Sequence, residues 1–88
     1  MKNQNVVGPN IRAARIRAGL RQDDLSARCG VLGWHVTRGT IAKIEAQVRC
    51  VSDAELYILA KALRNPIDQL YPKDLASLHA QLNQADTE

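Results

Sequence analysis

The sequence has few aromatic side chains from which to build a core. Its 88 residues include no Phe, one Trp and two Tyr. The core must therefore consist of Leu, Ile, Val and Ala, which suits small helices packed closely together. Hydrophobic residues make up 45% of the chain and charged residues 24%, which is typical of a globular protein and not of a disordered one. We expect one domain with a modest core.

Long apolar runs are also missing. No stretch approaches the roughly 20 residues needed to cross a bilayer. The polar start Met1 to Asn5 is not followed by an apolar stretch of signal-peptide length. We therefore expect a cytoplasmic protein that does not enter a membrane.

Cysteine and histidine are too few and too scattered to form a metal site. Cys29 and Cys50 are isolated thiols, and His35 and His79 are not spaced as ligands. Cys29 falls at an apolar helix position, where a free Cys behaves as a small hydrophobe. No Ser-His-Asp or Cys-His arrangement occurs, and so small a bundle has little room for a catalytic pocket. We expect no metal, no cofactor and no enzymatic activity.

Charge is divided unevenly along the chain. Residues 1–50 hold nine basic and three acidic side chains, a net charge of +6, whereas residues 51–88 hold three basic and six acidic ones, a net charge of −3. A positive half favours a polyanion on one side of the molecule. The alternative is a solvated charged surface with no partner.

Helical spacing and capping signals predict an all-α fold, a compact bundle of about five helices. The first helix opens on Gly8-Pro9 and ends at Gly19, and the second starts near Gln22 and stops before Gly33. Thr37 caps a third helix that ends near Ala46. The second helix is expected to bury Leu25, Cys29 and Leu32.

The fourth helix opens on a Ser-x-x-Glu capping box at Ser52 and carries a buried stripe. That stripe consists of Leu56, Leu59, Ala60 and Leu63. A brief fifth helix follows Asn65-Pro66, with Asn65 as its cap, and inserts Ile67 and Leu70.

A short C-terminal helix is predicted from Lys73 to Ala85, so that residues 1–72 form the domain and residues 73–88 a helix and tail. Leu75, Leu78 and Leu82 lie on one narrow stripe, which needs something to pack against. The stripe either folds back on its own domain or meets a second copy of the chain.

Residues 22–45 contain a helix, a bend and a second helix, which is the pattern of a helix-turn-helix that binds duplex DNA. Arg38, Thr40 and Lys43 share the outward half of the second of these helices, whereas Ile41 and Ile44 point inward. One face packs and the other contacts DNA.

Five blocks of sequence resemble the phage-repressor and Cro-like helix-turn-helix family, also called the Xre family. Together they cover about residues 7–71. The blocks are Ile11-Arg12-x-x-Arg15, Gly19-Leu20-x-Gln22-x-x-Leu25, Thr40-Ile41-x-x-Ile44-Glu45 followed by Arg49, Asp53-x-x-Leu56, and Ala60-x-x-Leu63. The resemblance implies a lambda-repressor-like domain.

The resemblance also implies roles for individual residues. Gln22 matches the family's phosphate-binding Gln at a helix N-terminus. Arg38, Gly39 and Lys43 match positions that face base edges in the major groove, and Arg38 is the first choice for a guanine. The expected DNA-binding set is Gln22, Thr37, Arg38, Gly39, Thr40, Lys43 and Arg49. Arg15 and Glu45 match an interior ion pair that ties the first helix to the third.

Three features depart from the family pattern. The stretch between Gln22 and Thr37 is longer than in the tightest repressors, so an extended connection around Trp34 is expected. Ser26 stands where relatives usually have Ala. Gln47 replaces the usual Gly after the third helix, and because a left-handed backbone costs a non-Gly residue roughly 1 kcal/mol, we expect that loop to differ. Trp34 is either a hydrophobic plug over Leu32 and Val36 or part of a partner surface.

The sequence thus predicts a bacterial or phage transcriptional regulator, most simply a repressor, that binds double-stranded DNA as a homodimer. One alternative is an antitoxin that also masks a toxin, with the C-terminal helix as the surface for a protein partner. The other is a protein-interaction module that keeps the fold without binding DNA.

Replacing Arg15 or Glu45 by Ala should unfold much of the domain. Removing one partner of a buried pair leaves the other charge uncompensated, so the free energy of unfolding should fall by ~3–5 kcal/mol. Urea denaturation of each variant measures the change, with Arg17→Ala on the same helix as a control. Midpoints equal to that of the parent would contradict the assigned role.

Overall fold

The described residues form five α-helices and one 3-10 helix. The computed structural model describes residues 3–86, with side chains described through residue 82. The helices are α1 (Gly8–Arg17), α2 (Gln22–Val31), α3 (Arg38–Glu45), α4 (Asp53–Leu63), the 3-10 helix (Ile67–Leu70) and α5 (Leu75–Asp86). Residues 3–86 contain no strand. The all-α fold predicted from sequence is confirmed.

Residues 1, 2, 87 and 88 lie outside the described residues. They belong to the predicted polar start and to the predicted C-terminal tail. Within residues 3–86, no helix combines the length and the apolar character that crossing a bilayer requires.

Two side-chain caps and two glycines predicted from the sequence lie at helix boundaries. Thr37 Oγ1 accepts a hydrogen bond from the Thr40 backbone N–H at 3.1 Å, and Ser52 Oγ accepts from the Glu55 N–H at 3.1 Å. Glu55 reciprocates by accepting from the Ser52 N–H at 3.0 Å, which completes the capping box. After α1 and α2, Gly19 and Gly33 take the left-handed conformation, with φ of 72° and 98°.

The core is aliphatic and lies where α1, α2, α3 and α4 meet. Its fully buried side chains are Ile11, Leu25, Cys29, Ile41, Ile44, Leu59 and Leu70. Burial raises the pKa of the Cys29 thiol to about 11, so this sulfur stays protonated near neutral pH and packs as a small hydrophobe.

Two packing predictions were wrong. Leu32 was expected to be buried with Leu25 and Cys29, but it is 43% exposed. Helix α2 ends at Val31, so Leu32 lies just beyond the helix that was expected to bury it. After α4 the chain forms only a single 3-10 turn without a side-chain cap, and this turn buries Leu70 while Ile67 stays 40% exposed.

The helix α5 contributes little to this core. Leu75 and Leu82 are 66% and 61% exposed, and Leu78 is only half-buried. A hydrogen bond from Gln81 Nε2 to the Asn3 carbonyl, at 2.6 Å, ties the helix to the N-terminal segment. In the single chain, therefore, the leucine stripe does not fold back into the domain.

The first residue of α1 lies directly against the end of α3. A Cβ at Gly8 would overlap the Ile44 carbonyl oxygen and would come within 3.0 Å of the Glu45 carbonyl. Both of these neighbours are backbone atoms at a helix end, so neither can move aside as a side chain would. Only glycine allows this approach of α1 to α3.

Gly8→Ala should destabilise the domain, although Gly to Ala inside a helix ordinarily stabilises it. Overpacking against fixed backbone should lower the free energy of unfolding by about 1–3 kcal/mol. Gly30→Ala is the matched control, because the nearest atom to its Cβ would be His35 Nδ1 at 3.9 Å. In thermal melts the Tm should fall for Gly8→Ala and rise for Gly30→Ala. A change of Tm in the same direction for both variants would contradict the close approach of α1 to α3.

Candidate nucleic-acid interface

Helix α3 has two distinct faces. Ile41 and Ile44 are fully buried, whereas Gly39 and Lys43 are exposed and the Arg38 side chain is 67% exposed. Thr40 is half-buried at the border. The structure therefore presents these polar positions on one outward surface, as the spacing predicted.

The N-terminus of α3 is fixed by Thr37. Besides accepting from the Thr40 N–H, its hydroxyl lies 3.1 Å from Thr40 Oγ1. Both hydroxyls are thus engaged in capping the helix, so the role the structure gives Thr37 is to hold Arg38 and Gly39 in the first exposed turn.

The carboxylate of Glu45 joins the first three helices. It accepts hydrogen bonds from Arg15 Nε at 2.7 Å and Arg15 Nη2 at 3.1 Å, and from Gln22 Nε2 at 3.1 Å. The Arg15 and Glu45 side chains are only 11% and 3% exposed. The hydrogen bonds to Glu45 raise the pKa of Arg15, so the guanidinium remains charged at any ordinary pH.

Gln22 therefore does not move freely at the start of α2. One N–H of its amide is held by Glu45, and the amide has a second N–H that can face outward. The same helix N-terminus attracts anions. The amide is thus anchored to α3 through one N–H, and a phosphate contact through the other stays a prediction.

The last turn of α3 closes in a Schellman motif that contains no glycine. The Gln47 N–H donates to the Ile44 carbonyl and the Val48 N–H to the Lys43 carbonyl, both at 3.0 Å. Gln47 has a φ of 65°, so the expectation that this loop would avoid the left-handed backbone was wrong. Its side-chain amide donates to the Asn5 carbonyl at 3.0 Å, which offsets the strain.

The role of Asn5 was not predicted from the sequence. It is 7% exposed, and its amide donates to the carbonyls of Ile44 at 3.1 Å and Arg49 at 2.8 Å. Its Oδ1 accepts from the Gly8 N–H at 2.8 Å. One side chain thus caps α1 and satisfies the end of α3. A polar residue three positions before Gly8-Pro9 was the only signal of this in the sequence.

The extended connection between α2 and α3 is tied down at both ends. The Ser26 hydroxyl donates to the Val36 carbonyl, and the Trp34 N–H donates to the Cys29 carbonyl at 3.0 Å. Trp34 is half-buried and packs against the core, and Val36 is buried. Ser26, which stands where relatives usually have Ala, therefore anchors the segment that leads into α3.

Arg49 is less available for a DNA contact than the sequence suggested. Its guanidinium donates to both oxygens of Glu55, at 2.9 Å and 3.1 Å, and also to the Cys50 carbonyl at 3.0 Å. This arrangement ties the loop after α3 to the start of α4. A DNA contact by Arg49 remains a prediction, and it would require the guanidinium to keep or exchange these partners.

The family model described as Helix-turn-helix matches residues 11–70 of the chain. Among solved structures, the restriction-modification controller protein C.AhdI from Aeromonas hydrophila is 28% identical, with a TM-score of 0.66 over 74% of this chain and 91% of that one. A hypothetical transcription factor, NHTF from Neisseria, is 22% identical, with a TM-score of 0.69 over 89% of this chain and 84% of that one. No curated protein matches the chain.

The Arg49 to Glu55 contact predicts a pH-dependent stability. Hydrogen bonds from Arg49 and from the Ser52 N–H lower the pKa of Glu55. Its stabilising contribution should therefore be complete above the ordinary Glu pKa, about 4.3, and should disappear as the pH falls through the lowered value.

Glu55→Gln keeps the shape of the side chain and removes this titration. The difference in urea midpoint between the parent and Glu55→Gln should be largest near pH 6 and should shrink towards pH 3. A difference that stays constant over this range would show that the Glu55 charge does not matter.

Proposed function

This chain belongs to the helix-turn-helix family of DNA-binding transcription regulators, and we propose that it acts as a cytoplasmic repressor that binds an operator through α3 as a homodimer. The observation that carries the proposal is the two-faced α3, which buries Ile41 and Ile44 and exposes Arg38 and Lys43. A rigid helix with an outward cationic face fits the major groove of duplex DNA.

Each residue of the interface has a distinct proposed role. Gln22 contacts a phosphate and sets the position of the domain on the duplex. Arg38 and Lys43 contact base edges, with Arg38 paired to a guanine, and Thr40 contacts a base or a phosphate. Gly39 carries no side chain and lets the helix backbone approach the groove. Thr37 caps the helix, and Arg49 approaches the DNA backbone beyond its end.

The small size of the α3 surface supports a homodimer. One chain presents one recognition helix, and two-fold pairing on half-sites about 34 Å apart adds both affinity and specificity. The structural similarity to a restriction-modification controller protein supports a regulator of this general type. Occupying an operator that overlaps a promoter is the simplest way for so small a protein to repress.

The exposed leucines of α5 favour one second candidate, in which the DNA-binding protein also masks a partner toxin. Leu75 and Leu82 are 66% and 61% exposed in the single chain, and an amphipathic helix of this kind fits the apolar groove of a partner. A toxin-like gene beside this one would favour that candidate over a simple repressor.

Selection of bound sequences from a random duplex library tests the main proposal. A palindromic site is expected for the homodimer. Arg38→Ala and Lys43→Ala should change the preferred bases, with a loss of ~1–3 kcal/mol of discrimination for a lost Arg to guanine contact. Gln22→Ala should weaken all sites about equally.

The reverse pattern would exchange the roles of Gln22 and Arg38, and a selected site without two-fold symmetry would contradict the homodimer. If the parent protein retains no duplex even at low salt, the proposed function fails and the fold serves protein interaction instead.

A further inference from the structure

An acidic side chain lies inside the proposed DNA-binding surface. Asp23 directly follows Gln22 in the first turn of α2, and its Oδ1 is 3.7 Å from Nε of Arg38 at the start of α3. The two side chains are 64% and 67% exposed. The contact is an ion pair and is too long for a hydrogen bond. It joins the helix that contacts phosphate to the helix that reads bases.

Stability does not account for this contact. Exposed ion pairs contribute little to folding, because solvent screens them and ordering two long side chains costs entropy. The capping of α2 is also supplied by a neighbour, since the Arg21 N–H donates to Asp24 Oδ2 at 2.8 Å. Asp23 is thus an exposed carboxylate beside a surface that must approach a polyanion, where repulsion from phosphates weakens binding to any duplex.

The geometry at Arg38 supplies a reason for this carboxylate. Asp23 faces Nε, and in the described part of the chain no hydrogen bond engages Nη1 or Nη2 of Arg38. A guanine presents two acceptors, O6 and N7, which match two parallel N–H donors of a guanidinium. With a carboxylate beside Nε, Arg38 presents its terminal nitrogens as that fork, and the ion pair favours the rotamers that leave Nη1 and Nη2 facing outward.

We propose that Asp23 is a positioning residue that sets DNA specificity by holding Arg38 in the orientation that reads guanine. On the cognate base, Arg38 keeps Asp23 and gains both acceptors. On any other base, Arg38 gains most by turning towards a phosphate, which separates it from Asp23 and leaves that carboxylate unpaired near the DNA. Asp23 therefore weakens non-cognate binding more than cognate binding. This inference rests on the proposed base reading by Arg38.

A double-mutant cycle tests the inference. Dissociation constants are measured for the site selected from the random library and for the same site with the contacted guanine replaced by adenine. The proteins are the parent, Asp23→Asn, Arg38→Ala and the double variant. Asp68→Asn, on the 3-10 helix, is the control for the loss of one negative charge, and thermal melts show that every variant is folded.

Asp23→Asn should strengthen binding to the replaced site. The dissociation constant for the replaced site divided by that for the selected site should therefore fall by about twofold or more, in the range of coupling between contacting residues. In the Arg38→Ala background the same substitution should leave the ratio unchanged. Asp68→Asn should change both sites by one common factor.

The inference is overturned if Asp23→Asn behaves like Asp68→Asn, or if its effect persists without Arg38. If Arg38→Ala itself leaves the ratio unchanged, the base reading fails together with the inference, whereas a parent that binds no duplex contradicts the DNA-binding function itself. These three failures are distinguishable within one set of titrations.

Discussion

The position of α3 depends on one buried carboxylate. Glu45, at the last turn of α3, accepts from Arg15 of α1 and from Gln22 of α2. At 3% side-chain exposure, its charge has to be compensated within the protein, and Arg15 supplies that compensation. Because both partners come from other helices, satisfying this carboxylate fixes how α1, α2 and α3 sit together. The outward polar face of α3 and the side chain of Gln22 are therefore held by the same group.

The helices and most of the core could be predicted because their signals are local. Ser52 and Thr37 cap the helices they precede, and the stripe of α4 is buried as its spacing indicated. Leu32 was placed wrongly because the prediction carried the helical period past the true end of α2. That end coincides with the turn around Gly33, where the Trp34 N–H donates to the Cys29 carbonyl and the Ser26 hydroxyl donates to the Val36 carbonyl.

The candidate site was predictable in outline and not in its supporting contacts. The spacing of Ile41, Ile44 and Lys43 was enough to separate the two faces of α3. The hydrogen bonds of Asn5 and Gln47 were not predicted, because they join segments about forty residues apart and leave no periodic trace in the sequence. The engagement of Arg49 by Glu55 likewise depends on the path of the loop, which short motifs do not specify.

Gly39 has a consequence for how this surface can diversify. A Cβ there would meet only Thr37 Oγ1, at 3.8 Å, so no neighbour in the described chain demands a glycine at this position. New side chains can be introduced at the centre of the exposed turn without rebuilding the interior. The outward surface of α3 can thus change in shape and chemistry at this position, by evolution or by engineering, while the core beneath it stays the same.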